Sequence, residues 1–325
     1  MKRNLLLPVI SALLLGAAVL PARASNCPGF LPHNDLKIPV GSAQDKGMLE
    51  AQFNEVLNTL EKIYKPQLAA LGKVLQINRL WTNNTVNAST SQSGNRVILN
   101  MYGGLARHEA VTMDGFALVV CHELGHNLGG APKGGWASIE GQSDYYANLK
   151  CLRQVFADSS ASAFTRSLQG DEVAEQGCAA LYSDPQESAI CLRGSMAGKS
   201  VSNLFKVLHN DPVAPSFATP DPKVVTAMFT SHPATQCRMD TYLAGSLCTQ
   251  PVSAPLSNTN PAAGTCTRSA GFQAGFRPLC WYKPANAAEL LPPAAKAFEV
   301  TEQLSPSLDA LKTGYWPGLR APLAW

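Results

Sequence analysis

The chain has 325 residues, 46% of them hydrophobic and 15% charged, which is enough for one substantial core or for a core with a small appendage. Its formal net charge is +3, but residues 1–24 hold three of the 26 basic residues and no acidic one. The remainder carries 23 residues of each sign and is formally neutral. This balance excludes the basic surface expected of a protein that binds nucleic acid or an anionic membrane.

The first 24 residues are predicted to be a cleaved signal peptide. Lys2 and Arg3 precede an apolar run over Leu5–Leu20, and Ala22-Arg23-Ala24 has the small-x-small pattern of a cleavage site. We therefore expect a mature chain that begins at Ser25 and acts in the periplasm or outside the cell. No later segment has the roughly 18 consecutive apolar residues of a membrane span, so none is expected in the mature chain. An uncleaved anchor is the alternative for the leader.

Hydrophobic periodicity and turn residues predict an α+β catalytic domain, mostly helical with a small sheet. In chain order, the predicted elements are a helix over 46–64 with Pro66 just beyond it, a strand over 73–81, a polar turn-forming stretch over 82–95, a strand over 96–102, and helices over 114–128 and 138–157. Helical or mixed structure is predicted for 160–250. The predicted domain spans 25–250, followed by a Pro/Ser/Asn-rich linker (251–265) and a disulfide-containing appendage (266–325) with a final helix near 295–313.

The nine cysteines agree with export to an oxidising compartment, where disulfides persist. Cys121 lies in an apolar helix and is predicted to stay unpaired. Short-range pairing of the others predicts three disulfides and leaves one long-range pair. The predicted pairs are Cys178–Cys191, Cys237–Cys248, Cys266–Cys280 and Cys27–Cys151. A cysteine-rich zinc knuckle is the competing interpretation, but no CxxC pair occurs in the sequence.

The stretch His122-Glu123-Leu124-Gly125-His126 lies in the predicted 114–128 helix. Residues four apart share a helix face, so His122 and His126 can bind one ion while Glu123 lies beside it. In a zinc site of this kind the glutamate acts as general base toward a zinc-activated water. A chance match is the alternative, but the apolar lead-in and the glycines that follow place the motif on a half-buried helix.

Two histidines leave a third protein ligand to be found. The longer pattern H-E-x-x-H-x-x-G-x-x-H would require a ligand at Pro132, which cannot coordinate a metal. Glu140 and Asp144 are four residues apart on the next predicted helix, so Glu140 is predicted to complete a His₂Glu site with one open position. Asp144 is predicted to accept a hydrogen bond from the outer nitrogen of a ligating histidine. The alternative for Glu140 is a capping role at the start of its helix.

Four short motifs occur in a fixed order between about residues 85 and 240. They are Asn87-Ala88, RVILNMYGGLA, VVCHELGH followed by E-x-x-x-D, and His232-Pro233 with Arg238 five residues after the proline. This set resembles the gluzincin zinc metallopeptidases of the HtpX and CAAX-prenyl-protease type, including their soluble periplasmic relatives. The resemblance implies a zincin-like fold with one zinc per chain. The implied ligands are His122, His126 and Glu140, with Glu123 as the catalytic base.

The resemblance also implies where a substrate lies. Arg96–Met101 would form an edge strand that pairs with an extended peptide or protein substrate. His232 and Arg238 would approach the open side of the zinc and stabilise the oxyanion of the reaction. A structural histidine at a proline turn is the alternative for His232, and Tyr145 and His209 are lesser candidates for the same role.

The sequence departs from that family in one connection and in its lack of membrane spans. Only 13 residues separate His126 from Glu140, a much shorter gap than the family has. Lipid-linked substrates are not expected, because the spanning helices of the membrane-embedded members are missing. The predicted function is an exported zinc-dependent endopeptidase. The alternatives are a non-catalytic envelope binding or chaperone-like protein that retains a zinc site, and an amidase acting on cell-wall peptides.

Overall fold

The structure is a computed structural model that describes residues 25–26, 29–157 and 170–290. The predicted signal peptide, Cys27 and the predicted helix near 295–313 lie outside these residues. The strands are β1 (Ser25–Asn26), β2 (Val74–Leu80), β3 (Ala88–Ser93), β4 (Arg96–Tyr102), β5 (Lys133–Gly134) and β6 (Ala137–Ser138). The helices are α1 (Glu50–Ala70), α2 (Gly103–Ala106), α3 (Met113–Leu128), α4 (Glu140–Tyr146), a π-helical turn (Ala147–Cys151), α5 (Leu152–Ala157), α6 (Glu172–Leu181), α7 (Pro185–His209), α8 (Thr235–Leu247) and a 3-10 turn (Ala287–Leu290).

These elements make the described part of the chain an α+β structure, as predicted. The helix predicted over 46–64 instead spans Glu50–Ala70 and continues past Pro66. A proline inside a helix removes one backbone hydrogen bond, but Leu68 beyond it is fully buried, so core packing holds the last turn in place. None of the helices in the described ranges is long and apolar enough to cross a membrane.

The larger sheet has the strand order β1-β3-β4-β2. β4 is antiparallel to β3 and parallel to β2. Its bounds confirm the strand predicted over 96–102, but the expectation that Arg96–Met101 form an edge strand is wrong, because β4 is paired on both sides. The edge nearer α3 belongs to β3, whose outer side carries the two-residue β1.

β3 is a strand where the sequence predicts turn structure. Its sequence, ASTSQS, is polar and small, so it shows no apolar alternation. A two-residue turn at Gly94, with φ of 59°, and Asn95 sets the pairing of β3 with β4. Two polar side chains of β3, the buried Thr90 and the half-buried Gln92, find a partner on α3: Asn127 donates to Thr90 Oγ1 and accepts from Gln92 Nε2.

Helix α3 is the centre of the main core. Every residue from Met113 to Asn127 is buried, and the Thr112 side chain caps the helix by accepting from Gly115 N at 3.0 Å. Its bounds confirm the helix predicted over 114–128. α1, the sheet, α4 and α7 all pack against α3. The helix predicted over 138–157 is present as α4, the π-helical turn and α5 in succession.

Four disulfides join described residues: Cys121–Cys151, Cys178–Cys191, Cys237–Cys280 and Cys248–Cys266. Only the predicted Cys178–Cys191 pair is confirmed. Cys121 is not free, and its bond to Cys151 also excludes the predicted Cys27–Cys151 pair. The four disulfides indicate that the chain folds in an oxidising compartment.

The predicted Cys237–Cys248 and Cys266–Cys280 pairs are wrong for a geometric reason. Cys237 lies in the first turn of α8 and Cys248 caps its other end. Eleven residues of helix separate them by about 16 Å, far beyond the reach of a disulfide. Each of these two cysteines is bonded instead to the coil that packs beside α8.

This coil, residues 251–286, lies against the helices of the core. Lys150 Nζ donates to the Pro251 carbonyl at 2.6 Å, and Trp281, fully buried, donates from Nε1 to Thr241 Oγ1 at 2.9 Å. Arg277 donates to Gln142 Oε1 at 3.1 Å. The domain boundaries placed at 250 and 265 stay predictions.

Candidate metal centre

Helices α3 and α4 bring His122, His126 and Glu140 together. One ligand atom of each lies within 4.8 Å of the others, which makes the three residues a possible metal-binding group. Glu140 Oε2 is 3.3 Å from His122 Nε2, and Glu140 Oε1 is 3.7 Å from His126 Nε2. All three side chains are buried.

The short connection between the two helices is closed by hydrogen bonds from α4 and β6 to the end of α3. Ser138 Oγ donates to the Gly130 carbonyl and Gln142 Nε2 to the Gly129 carbonyl, both at 2.7 Å. Gly125, inside the histidine motif, permits the close approach of the helices, because a Cβ there would lie 3.0 Å from the Ser143 backbone. The connection thus returns the chain directly from His126 to Glu140.

The outer nitrogens of both histidines are held by hydrogen bonds. His122 Nδ1 lies 2.7 Å from Asp144 Oδ1, and His126 Nδ1 lies 2.8 Å from the Ser138 carbonyl. Both acceptors require Nδ1 to donate, so in the neutral ring the lone pair is on Nε2. The two Nε2 atoms are therefore presented toward Glu140 in the tautomer that binds a metal.

Several buried polar atoms at this place have no hydrogen-bond partner among the described residues. They are His122 Nε2, His126 Nε2, Glu140 Oε2 and both carboxylate oxygens of Glu123. Each buried unpaired polar group costs about 1–3 kcal/mol, so such a cluster is rare without a ligand. Two imidazole nitrogens and a carboxylate are a donor set that a divalent transition metal accepts. The residues present thus fit a bound cation.

The electrostatics of the group also favour a cation. Burial opposes the charge on His122, but Asp144 and Glu140 outweigh it and raise the pKa of His122 to about 9. Burial lowers the pKa of His126 to about 4. Despite burial, His126 and His122 hold the pKa of Glu140 well below its usual range. The pKa of Asp144 is lowered as well, although burial opposes its charge, so Glu140 and Asp144 are two buried, ionised carboxylates whose charge a bound cation would balance.

Glu123 differs from the other carboxylates. It lies beside the metal-binding group on α3, is fully buried, and has a pKa raised to about 8, chiefly by burial. A nearby dication would lower this pKa again. A carboxylate of this kind can exchange a proton near neutral pH, as a general base must.

Behind His122, α8 supports Asp144. Arg238 Nη2 donates to Asp144 Oδ1 at 2.7 Å and Nη1 to the Phe30 carbonyl at 3.0 Å. Tyr242 Oη donates to the same Asp144 oxygen at 2.9 Å. Sequence analysis missed Tyr242, although it stands one helical turn after Arg238 on the same face of α8. These contacts favour a positioning role for Arg238 over the predicted contact with an oxyanion.

His232 lies at the margin of the group. Its Nε2 donates to the Gly29 carbonyl at 2.8 Å and is 3.5 Å from Glu140 Oε2. The two lesser candidates lie elsewhere: Tyr145 Oη donates to the Gly275 carbonyl, and His209 contacts Thr235.

Phe30, like Tyr242, is a residue of the site that the sequence did not suggest. Its fully buried ring meets the His122 ring edge-on, with 4.9 Å between centroids. Arg238 stacks over the same phenyl ring at 4.7 Å. Phe30 is therefore part of the wall of the site.

Comparison with protein-family models, with curated proteins and with solved structures finds no match for this chain.

Proposed function

We propose that the chain is an exported, zinc-dependent endopeptidase of the gluzincin type, with a zincin-like fold. The observation that carries the proposal is the convergence of unpaired, buried Nε2 atoms of His122 and His126 with Glu140, beside an unpaired Glu123 carboxylate. A His₂Glu donor set with one open position is the pattern of catalytic zinc sites.

Zinc, when bound by these three residues, would lower the pKa of the attacking water and polarise the scissile carbonyl. Glu123 would accept a proton from that water at its carboxylate and later pass it to the leaving amine. Asp144 would hold His122 in the tautomer with a free Nε2, and the Ser138 carbonyl would do the same for His126. His232, whose Nε2 donates to the Gly29 carbonyl and lies 3.5 Å from Glu140 Oε2, would have to exchange that carbonyl for one of the substrate.

A non-catalytic protein that uses the metal for stability is the second candidate. It is favoured by the near-complete burial of the site, since Glu123 and His122 are fully buried and His126 and Glu140 are at most 3% exposed. A catalytic centre must admit a substrate, whereas a structural metal site is closed.

Metal content and hydrolysis measured in parallel separate these candidates. The protein would be purified from an oxidising compartment, and zinc per chain would be counted by mass spectrometry for wild type, Glu140→Gln and Glu61→Gln. We expect one zinc per chain in wild type and in Glu61→Gln, whose carboxylate pairs with Arg79 on the surface, and little in Glu140→Gln.

Casein hydrolysis would be followed for wild type and Glu123→Gln. The proposal expects Glu123→Gln to keep its zinc and to lose activity by at least a hundredfold, in line with the loss of a general base. Full zinc occupancy in Glu140→Gln would require another third ligand. Zinc without hydrolysis of casein or of cell-wall peptides by any variant would favour the non-catalytic protein.

A further inference from the structure

The outer edge of β3 is a surface on which an extended peptide can lie beside the metal-binding group. Strand edges present unpaired N–H and C=O groups and bind extended peptides through backbone hydrogen bonds. This edge runs along α3 next to the histidine motif, because Asn127, the residue after His126, donates to Thr90 of β3.

Residues of this chain already occupy that edge. The backbone pairs are Ser25 with Gln92, Asn26 with Ser91, and Phe30 with Ala88, whose N···O distance is 2.9 Å. The pairing is antiparallel, so Ser25–Asn26 lie beside the last residues of β3 and Phe30 lies beside its first residue. It is therefore bound as an added strand would be.

The same segment takes up two side chains that were predicted to meet a substrate. His232 Nε2 donates to the Gly29 carbonyl at 2.8 Å, and Arg238 Nη1 donates to the Phe30 carbonyl at 3.0 Å. Successive main-chain carbonyls beside a strand edge are what an extended peptide offers. The contacts of Gly29 and Phe30 are thus those of a peptide backbone held next to Glu140.

Phe30, at the inner end of this segment, forms a wall of the site. Its ring lies against His122, and Glu123 is completely buried. A substrate carbonyl must come within hydrogen-bond distance of the catalytic groups, so a peptide has to approach along the adjoining edge of β3, which β1 covers.

We propose that Ser25–Asn26 and Gly29–Leu31 are a built-in competitor for the peptide-binding edge of β3, and that β1 must leave this edge before a substrate binds. The inference rests on the proposed function. Phe30 and Leu31 are fully buried and belong to the core, so Gly29–Leu31 is the anchored part of the segment. β1, which is only two residues long, is the part that can be released.

Two variants weaken β1 without touching the anchored part. One is a mature chain that begins at Gly29, and the other is Asn26→Pro in the full mature chain, since proline cannot donate to a ladder. Asn26→Thr retains the backbone N–H and is the matched control. Thermal melting of each variant reports whether the fold is kept.

Hydrolysis and binding are then measured separately. For cleavage of an unfolded casein substrate, we expect KM to fall about fivefold to tenfold in both variants with kcat little changed, as expected for the loss of a weak intramolecular competitor. The second readout is fluorescence anisotropy of a labelled casein decapeptide on Glu123→Gln forms of the same proteins, which requires no turnover. The decapeptide should bind more tightly by a similar factor, and Asn26→Thr should match wild type.

The two readouts also separate this inference from the proposed function. Tighter peptide binding without hydrolysis by any form would support the competitor and contradict the peptidase. Hydrolysis with the same KM, and the same peptide affinity, in all forms would overturn the competitor and leave the peptidase intact.

Discussion

Asp144 is the residue on which the polar contacts around the site converge. Its Oδ1 accepts from His122, Arg238 and Tyr242 at 2.7–2.9 Å, and the carboxylate is fully buried. Burial opposes its charge, but Arg238 and then His122 keep the pKa of Asp144 below its usual value. A carboxylate held in this way fixes both the orientation and the tautomer of His122.

Tyr242→Phe tests whether this support reaches the metal. Removing the hydroxyl takes one of three donors from Asp144, so we expect the zinc dissociation constant to rise about tenfold. Loss of a residue that hydrogen-bonds to a metal ligand typically weakens metal binding about 10- to 100-fold, and one donor of three should give the smaller effect. Competition with a chromogenic chelator measures it. Tyr182→Phe is the matched control, because Tyr182 donates to the carbonyls of Ser246 and Cys248 instead. Equal zinc affinities in wild type and Tyr242→Phe would contradict the supporting role.

At the scale of elements, the helical segments that carry the candidate ligands are joined by a disulfide. Cys121 directly precedes His122 on α3, and Cys151 ends the π-helical turn that follows α4. The bond therefore limits the separation of the helices that hold His122 and Glu140. The Cys178–Cys191 disulfide joins α6 to α7, and neither of these helices carries a candidate ligand.

Replacing both cysteines of a pair by alanine should distinguish these two disulfides. Each double variant should lose about 2–4 kcal/mol of stability to denaturant. Only Cys121→Ala/Cys151→Ala should also bind zinc more weakly, because its ligands are less restrained. An equal loss of zinc affinity in Cys178→Ala/Cys191→Ala would mean that general destabilisation, and not helix position, lowers the affinity.

A second element-scale prediction concerns the loop over 210–234, which carries His232. Asp240 on α8 holds this loop by accepting from Asp221 N, and Gln236 donates to the other Asp240 oxygen, both at 2.7 Å. Burial raises the pKa of Asp240 to about 6. The folded protein therefore binds more protons than the unfolded chain between about pH 4 and 6, and stability must fall as the pH rises through this window.

Asp240→Asn removes this titration. The stability of wild type relative to Asp240→Asn should decline from pH 4 to about pH 6.5 and then stay level, as measured by urea unfolding at each pH. Parallel stability curves for the two proteins would contradict the raised pKa.

The elements that could be predicted from the sequence are those whose own residues show a hydrophobic pattern. The apolar run of α3 and the branched residues of β4 carry their own periodicity, and Glu140 and Asp144 could be paired with the histidines from helical spacing alone. β3 could not be predicted this way, because ASTSQS is stabilised by its hairpin with β4 and by Asn127. The Cys121–Cys151 disulfide and the contact between the Phe30 and His122 rings depend on which elements meet in space. The spacing of these residues along the sequence does not show which elements meet.

On the scale of the whole molecule, the candidate metal centre is a concentration of unsatisfied polar groups inside the core. Five buried atoms of His122, Glu123, His126 and Glu140 lack hydrogen-bond partners among the described residues. A ligand that binds only the folded state stabilises it in proportion to its affinity, by about 2.7 kcal/mol at a hundred times the dissociation constant. Metal occupancy should therefore govern global stability as well as activity.

This expectation is tested by thermal unfolding with zinc and with a chelator. Wild type should melt several degrees higher with zinc, since 1 kcal/mol corresponds to roughly 1.5 °C in a chain of about 300 residues. Glu140→Gln should melt at the same temperature in both conditions. The metal content of the chelator-treated wild type would be measured as a control. If the protein has lost its metal and its melting temperature is unchanged, metal binding does not stabilise the fold.

The Cys121–Cys151 bond closes a covalent ring of chain with a sequence separation of 30 residues. All three candidate ligands, the proposed base and Asp144 lie inside this ring. The proposed peptidase would be exposed to its own cleavage, and the glycine-rich turn between α3 and α4 is the exposed stretch of the ring. A single cut there would leave His122 and Glu140 tethered to each other through sulfur. Nicked protein should therefore run as one band without reductant and as two with it, while keeping its zinc.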